Sequence, residues 1–159
     1  MLKKFTLVLS ILALIGCQSK AQEPTKESFA VQKTYAEWKA QLSADQYYIL
    51  RSAGTERPFT SELLTVKGEG VFVCAGCETP LFENKHKFDS GTGWPSFDRP
   101  IEGNVSYGTD NKLGYTRNEE HCATCGGHLG HVFDDGPRNT TGKRHCINGD
   151  AMVFVPTKQ

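Results

Sequence analysis

The sequence has no block of like charge and, beyond its first residues, no long apolar run. Its 18 Lys and Arg residues balance 18 Asp and Glu residues, so the formal net charge is zero. A nucleic-acid-binding protein usually carries a basic stripe, and without one we expect no nucleic-acid partner. The longest apolar run, Phe5–Ile15, is too short to span a bilayer as a helix. These absences leave one domain of ordinary size, which we expect to be monomeric.

The N-terminus has the pattern of an export signal. Lys3 and Lys4 precede the apolar run, which is followed by Gly16 and Cys17. The segment resembles a bacterial lipobox, in which cleavage leaves the cysteine as a lipidated N-terminus. An ordinary secretory signal with an incidental cysteine is the alternative. We predict a lipoprotein-type signal peptide over residues 1–17 that ends at the lipidated Cys17, a flexible tether over 18–33 and a domain over 34–159. The protein would be exported and lipid-anchored to a bacterial membrane, facing the periplasm or the cell exterior.

The remaining chain predicts a mainly β domain with short N-terminal helices. Capping-box patterns begin at Thr34 and at Ser43, and the second helix should end near Gly54. The chain contains 16 glycines, and turn signals separate its short strand-like segments. Helices do not alternate with these strands, which favours an antiparallel sheet over a parallel one. We predict strands at residues 70–74, 105–107, 112–117, 131–134 and 151–155.

Four of the six cysteines fall in two Cys-x-x-Cys pairs, Cys74 with Cys77 and Cys122 with Cys125. Two such turns facing each other would form the tetrahedral thiolate cage that zinc prefers. Two disulfides are an alternative in an exported protein, and a thioredoxin-like dithiol is another. A closed four-cysteine cage has no open coordination position, so its zinc, one per chain, would be structural.

One cysteine, Cys146, is then left over in the domain. Arg144 and Cys146 would share one face if this segment is a strand, and Asn148 would follow on the same face. A guanidinium neighbour stabilises the nucleophilic thiolate. A buried strand cysteine that acts only as a small apolar residue is the alternative.

Two further segments carry candidate functional residues. His128 and His131 directly follow the second cysteine pair and are candidate proton donors, with a structural role as the alternative. Trp94 and Phe97 are candidates for an apolar wall that receives a small group, and a core position is the alternative for Trp94. His86 and His121 lack such a context, and we expect both at the surface.

These segments together resemble the peptide methionine-R-sulfoxide reductase family. The resemblance covers roughly residues 35–154 and rests on several motifs in the right order. They are Gly93–Phe97, His128–Phe133, Arg144–Asn148 and both cysteine pairs. The resemblance implies a fold of two small antiparallel sheets with short helices outside, and zinc on the four paired cysteines.

The resemblance also implies a mechanism. Cys146 attacks the sulfoxide sulfur of an oxidised methionine in a protein or peptide and ends as a sulfenic acid. His128 and His131 supply or orient protons as general acids and hydrogen-bond donors, and Asn148 and Arg144 hold the thiolate and the developing charge. Trp94 receives the methyl group of the substrate, with Phe97 beside it in the wall.

Many relatives carry a second, resolving cysteine just before the tryptophan, where this sequence has Thr92. We therefore expect an external, thioredoxin-like thiol to reduce the sulfenic acid. The main rival hypothesis is a non-catalytic zinc-ribbon binding module on a membrane lipoprotein, in which Cys146 has no chemical role.

Overall fold

The computed structural model describes residues 28–157 of the 159-residue chain. The predicted signal peptide, Cys17 and most of the predicted tether lie outside this range. No helix in the described range is long and apolar enough to cross a membrane.

Two short helices open the domain, as both capping boxes predict. Helix α1 (Tyr35–Gln41) begins after Thr34, whose hydroxyl accepts a hydrogen bond from the backbone of Glu37. Helix α2 (Ala44–Ser52) begins after Ser43 in the same way and ends at Ala53 in a left-handed conformation. The helices bury Trp38, Ile49 and Leu50 against the rest of the domain.

The described residues form nine strands in two antiparallel sheets. The strands are β1 (Gly70–Cys74), β2 (Pro80–Glu83), β3 (Lys87–Phe88), β4 (Ser96–Phe97), β5 (Val105–Asp110), β6 (Arg117–Cys122), β7 (His128–Phe133), β8 (Arg144–Ile147) and β9 (Met152–Pro156). One sheet has the order β2-β1-β9, and the other has the order β3-β4-β8-β7-β6-β5. The predicted fold of two small antiparallel sheets with short helices is confirmed.

The core lies where aromatic side chains of the two sheets meet. Phe97 of β4 stacks on Phe82 of β2 with ring centroids 4.4 Å apart. Its ring also meets Phe72 of β1 edge to face, with centroids 5.0 Å apart. All three side chains are fully buried, which fixes one sheet against the other.

The register of the larger sheet decides which side chains share a face. Cys146 of β8 pairs with Ser96 on one side and with His131 on the other. His131 pairs in turn with Glu119 of β6. Residues paired directly across antiparallel strands project to the same face, so these four side chains lie on one side of the sheet.

One predicted strand needs correction. The predicted strand at 112–117 is mostly a turn, because the Asp110 carboxylate accepts a hydrogen bond from the Lys112 amide and Gly114 adopts a positive φ of 81°. The predicted tether also contacts the domain at its C-terminal end. The Val31 amide donates to the Thr124 carbonyl at 2.9 Å, and the Val31 side chain packs on the core.

Candidate active site and metal cage

The two cysteine pairs form one cluster where β1 and β6 end. The Cys74 and Cys125 sulfurs are 3.8 Å apart, and the Cys77 and Cys122 sulfurs are 3.5 Å apart. Zn–S bonds of about 2.3 Å in a tetrahedron place sulfurs about 3.8 Å apart, so this spacing fits a zinc ion. All four thiols are free, which rules out the two-disulfide alternative.

The surroundings of the cluster suit a structural metal. Each pair lies on a tight turn in which the amide that follows the second cysteine donates back to the carbonyl of the first. Glu78 donates to Cys74 and Gly126 donates to Cys122, both at 2.8 Å. The Arg51 guanidinium donates to the Cys125 carbonyl at 3.0 Å and brings positive charge toward the thiolates. Four sulfur ligands leave no open position, so zinc here would hold the two sheets together and supply no chemistry.

The fifth cysteine of the domain lies apart from this cage, in a small pocket. Cys146 is half-buried on β8, at a pocket of about 110 Å³. The other residues that line the pocket are Thr55, Trp94, Arg117, Gly130, His131, Phe133 and Asn148. The structure thus brings together four of the predicted site residues, Trp94, His131, Cys146 and Asn148.

The Cys146 thiol has a higher pKa than the positively charged residues near it in the sequence would predict. Burial raises its pKa, although Arg144 and the Thr92 hydroxyl oppose this rise. The Arg144 guanidinium donates two hydrogen bonds of 2.9 Å to the Asp135 carboxylate and lies over the Phe133 ring. The Arg144 charge opposes the rise in the Cys146 pKa, but this charge is shared with Asp135 and burial has the larger effect.

His131 is held by a carboxylate that the sequence analysis missed. Its Nε2 lies 2.9 Å from the Asp110 carboxylate, which also pairs with Arg117. Hydrogen bonds from the Lys112 amide, His131 and Arg117 hold the pKa of the Asp110 carboxyl well below its usual range. Burial lowers the pKa of His131, although the bond to Asp110 opposes that shift. His131 is therefore neutral at neutral pH, with its orientation set by Asp110.

His128 lies beside the pocket and is not among the residues that line it. Its ring centroid is 5.5 Å from that of His131, and its Nδ1 lies 2.6 Å from the Glu119 carboxylate. Burial lowers the pKa of His128 to about 4, although Glu119 opposes the shift. Its other ring nitrogen, Nε2, is buried without a hydrogen-bond partner among the described residues.

Glu56, which sequence reasoning also missed, fixes two of the pocket residues. Its backbone carbonyl accepts a hydrogen bond from the Trp94 indole at 3.3 Å, and its backbone amide donates to the Asn148 side chain at 3.0 Å. The Glu56 carboxylate accepts hydrogen bonds from the Gly149 and Asp150 amides at 2.7 and 2.9 Å. Glu56 thus connects Trp94 to the residues that directly follow β8.

The predicted place of Phe97 in the pocket wall is wrong. Phe97 of β4 pairs with His145 of β8. The pair next to it along the two strands is Ser96 with Cys146. Since neighbouring side chains in a strand project to opposite faces, Phe97 lies on the face away from Cys146. It is fully buried in the aromatic core.

A line of hydroxyl groups leads from Ser96 to the Cys146 thiol instead. Ser96 Oγ lies 2.7 Å from Ser90 Oγ, which lies 2.8 Å from Thr92 Oγ1. Thr92 Oγ1 in turn lies 3.9 Å from Cys146 Sγ. Thr92, singled out because relatives carry a cysteine there, is therefore in contact with the thiol.

Comparison with known proteins agrees with this geometry. Residues 42–156 match the family described as the SelR domain. The peptide methionine sulfoxide reductase MsrB of Chromohalobacter salexigens is 49% identical over 127 residues, which cover 79% of this chain and 96% of that protein. Its namesake from Agrobacterium fabrum is 51% identical over 127 residues, covering 79% of this chain and 93% of that protein.

A plant relative extends the match further along the chain. The chloroplastic peptide methionine sulfoxide reductase B1 of Arabidopsis thaliana is 46% identical over 156 residues, which cover 94% of this chain and 76% of that protein. The family match spans most of the described domain, including the cysteine cage and the pocket around Cys146. The chain therefore belongs to the SelR-domain family of peptide methionine sulfoxide reductases.

Proposed function

We propose that this protein reduces methionine-R-sulfoxide in oxidised proteins, with Cys146 as the nucleophile. The observation that carries the proposal is the placement of Cys146 in a pocket with Trp94, His131 and Asn148, apart from the cysteine cage. A non-catalytic zinc module has no need of a thiol in such a pocket. Membership of the reductase family supports the same reaction.

In the first step the Cys146 sulfur attacks the sulfoxide sulfur. Burial keeps this thiol protonated at neutral pH, so it brings the proton that the sulfoxide oxygen needs. The neutral imidazole of His131, paired across the strands with Cys146, takes this proton and delivers it to the oxygen. The S–S bond formed by the attack then breaks as the oxygen moves from the methionine sulfur to Cys146. The products are the thioether and the Cys146 sulfenic acid, whose oxygen carries the former thiol proton, so Cys146 loses the two electrons that the methionine gains.

Asp110 and Glu56 act in this scheme as positioning residues. With Nε2–H of His131 donated to Asp110, Nδ1 remains free to accept the thiol proton. Glu56 holds the Trp94 ring and the Asn148 amide at a fixed separation. His128 contributes by packing on His131 and supporting its position, a smaller role than the general acid that the family resemblance implies.

The pocket would select one epimer because its side chains hold the groups on the sulfoxide sulfur in fixed positions. The sulfoxide sulfur is a stereocentre that carries an oxygen, a methyl group and the rest of the side chain. Trp94 would receive the methyl group, and His131 and Asn148 would meet the oxygen side. The other epimer exchanges two of these groups, so its oxygen would meet the indole ring. Separate enzymes are needed for the two epimers for this reason.

The polypeptide around the oxidised methionine would lie on the other side of Trp94. A second pocket, of about 510 Å³, is lined by Trp94 and by the exposed ring of Phe59. The Phe59 amide donates to the Gly93 carbonyl at 2.8 Å, which holds this loop next to the tryptophan. Because Trp94 borders both pockets, a peptide there would present its sulfoxide to Cys146.

Regeneration would need two external thiols or one external dithiol. The first thiol condenses with the Cys146 sulfenic acid to a mixed disulfide and releases water, and the second thiol reduces that disulfide. Thr92 offers no sulfur for an internal disulfide, and the other described cysteines belong to the cage. A thioredoxin-like protein is the reductant we propose.

We also propose that the chain is exported and anchored by a lipid on Cys17. This rests on the N-terminal sequence pattern alone, because Cys17 lies outside the described residues. Mass spectrometry of the N-terminal peptide from membrane fractions tests it, with Cys17→Ser as the comparison. A diacylated Cys17 is expected, and an N-terminus that retains residues 1–16 would contradict the proposal.

An epimer-resolved assay tests the reaction. The protein is incubated with dithiothreitol and a mixture of both epimers of a peptide methionine sulfoxide, and each epimer is followed by chromatography. We expect loss of the R epimer only, and no loss with Cys146→Ser. Turnover by Cys146→Ser at the rate of the unmodified protein would exclude Cys146 as the nucleophile, and no turnover by either protein would favour the zinc-module alternative.

A further inference from the structure

A second cluster of metal-binding side chains lies on β6 and β7, outside the cysteine cage. Glu119, His121 and His128 each offer a ligand atom, and these atoms lie within 4.8 Å of one another. The irregular pairing between Glu120 and His121 produces this arrangement, since it brings His121 opposite His128. His121 was expected at the surface, but it is half-buried and directed toward a carboxylate.

The distances around the Glu119 carboxylate are close to those of a metal site. Its Oε1 lies 2.6 Å from His128 Nδ1 and 3.3 Å from His121 Nε2. Ligand atoms about 2.0–2.1 Å from a tetrahedral zinc ion lie about 3.3 Å from one another. The His121 distance already fits this geometry, and the His128 distance would open by about 0.7 Å as the ion replaces the shared proton.

The donor set indicates which class of ion would bind. Two imidazole nitrogens and one carboxylate oxygen suit zinc and similar divalent transition metals, whereas calcium and magnesium prefer oxygen ligands alone. The side chain of Glu119 is 14% exposed and that of His121 is 26% exposed. An ion could therefore enter from solvent on the His121 side and keep a water molecule as its fourth ligand.

We propose that Glu119, His121 and His128 form a second binding site for a divalent transition-metal ion, with zinc as the fitting ion. The site differs from the cage in having three protein ligands and access to solvent, so its zinc would exchange more readily. Occupancy would fix His128, whose ring centroid lies 5.5 Å from that of His131, and would add positive charge at His128. Under the proposed function, this charge opposes proton uptake by His131, so zinc at the site would inhibit sulfoxide reduction.

Zinc-binding stoichiometry tests the site without depending on activity. The folded protein, with zinc in the cysteine cage, is titrated with zinc in a calorimeter and by equilibrium dialysis. We expect a second zinc ion per chain that a mild chelator removes while the cage zinc stays. In His121→Ala we expect at least a tenfold weaker second site.

His86→Ala is the matched control. His86 is also half-buried, and its Nδ1 lies 3.1 Å from the Asp98 carboxylate, but among the described residues no second imidazole completes that site. This variant should keep the second zinc ion. A single zinc ion per chain at all concentrations, or equal binding of the second ion by His121→Ala, would overturn the proposal.

Inhibition is measured separately, as the ratio of turnover rates with and without added zinc. We expect this ratio to fall about tenfold in the unmodified protein and in His86→Ala and to stay near one in His121→Ala. If the chain did not reduce sulfoxides at all, the stoichiometry would still decide whether the site exists. If zinc bound without slowing turnover, the metal site would stand and the proposed effect on His131 would be wrong.

Discussion

Thr92 Oγ1 lies 3.9 Å from Cys146 Sγ, so this hydroxyl is in contact with the thiol that we propose as the nucleophile. A cysteine at position 92 would place a second sulfur in contact with Cys146 Sγ. We predict that Thr92→Cys forms a disulfide between the introduced sulfur and Cys146 after one turnover without reductant, because the neighbouring thiol reaches the sulfenic acid first. Non-reducing peptide mapping detects this disulfide.

Thr92→Ser is the matched control, since it keeps the hydroxyl and adds no sulfur. This variant and the unmodified protein should both give a sulfenic acid at Cys146 that dimedone traps. Persistence of a dimedone-reactive Cys146 in the Thr92→Cys variant would show that the two side chains do not meet during the reaction.

The pKa of Cys146 should be visible in the pH dependence of its alkylation. Iodoacetamide reacts with thiolate, and burial raises the pKa of this thiol, so its alkylation should reach half its maximum rate at a higher pH than that of an unperturbed cysteine. Arg144 stabilises the thiolate, so Arg144→Gln should move the curve to still higher pH. The measurement is the alkylation rate of Cys146 by mass spectrometry over a pH series, with Arg99→Gln as a control at an exposed arginine. A midpoint below pH 8 would contradict the environment described for Cys146.

Glu56→Ala should lower both stability and catalytic rate. The variant loses two hydrogen bonds from the backbone amides of Gly149 and Asp150 to a charged acceptor, at a cost of about 2 kcal/mol. The backbone of Glu56 holds Trp94 and Asn148, so loosening it should lower kcat about tenfold or more. Glu102→Ala, at an exposed turn, should change neither the free energy of unfolding nor kcat. Equal kcat values for both variants would remove Glu56 from its positioning role.

Phe59→Ala should raise KM for peptide substrates without raising KM for free methionine sulfoxide. Phe59 borders the larger pocket and is 70% exposed, so it is available to contact residues that flank the oxidised methionine. Loss of about 1 kcal/mol of apolar contact would raise KM for a sulfoxide-containing peptide about fivefold, with KM for free methionine sulfoxide unchanged. Tyr107→Ala, which removes an exposed aromatic ring elsewhere, should leave both KM values as they are. A parallel rise in both values for Phe59→Ala would place this residue outside the peptide-binding surface.

Features that depend on near neighbours in the chain could be predicted from the sequence. The capping boxes at Thr34 and Ser43 fix both helices within a few residues, and each cysteine pair is held by its own turn. The family motifs then indicate that Trp94, His131 and Cys146 lie close together in the fold. The residues between these motifs do not show which strand pairing brings them together.

Features that depend on register and long-range contacts could not be predicted. Phe97 lies on the core face because Ser96, and not Phe97, pairs with Cys146. Asp110 and Glu56 reach their partners across 21 and 92 residues of sequence, where no local pattern marks them. The sequence shows the charge of Arg144, but the burial that outweighs it at Cys146 depends on the folded pocket.

The transfer of oxygen to Cys146 in a single turnover tests the central claim most directly. The reduced protein is mixed with an excess of both epimers of a peptide sulfoxide in the absence of thiol reductant. The two epimers and the mass of the Cys146 peptide are then measured together. We predict that one R-sulfoxide is consumed per chain, that one oxygen atom is added at Cys146, and that the S epimer is unchanged. Consumption of the S epimer, or loss of the R epimer with no oxidation of Cys146, would contradict the account.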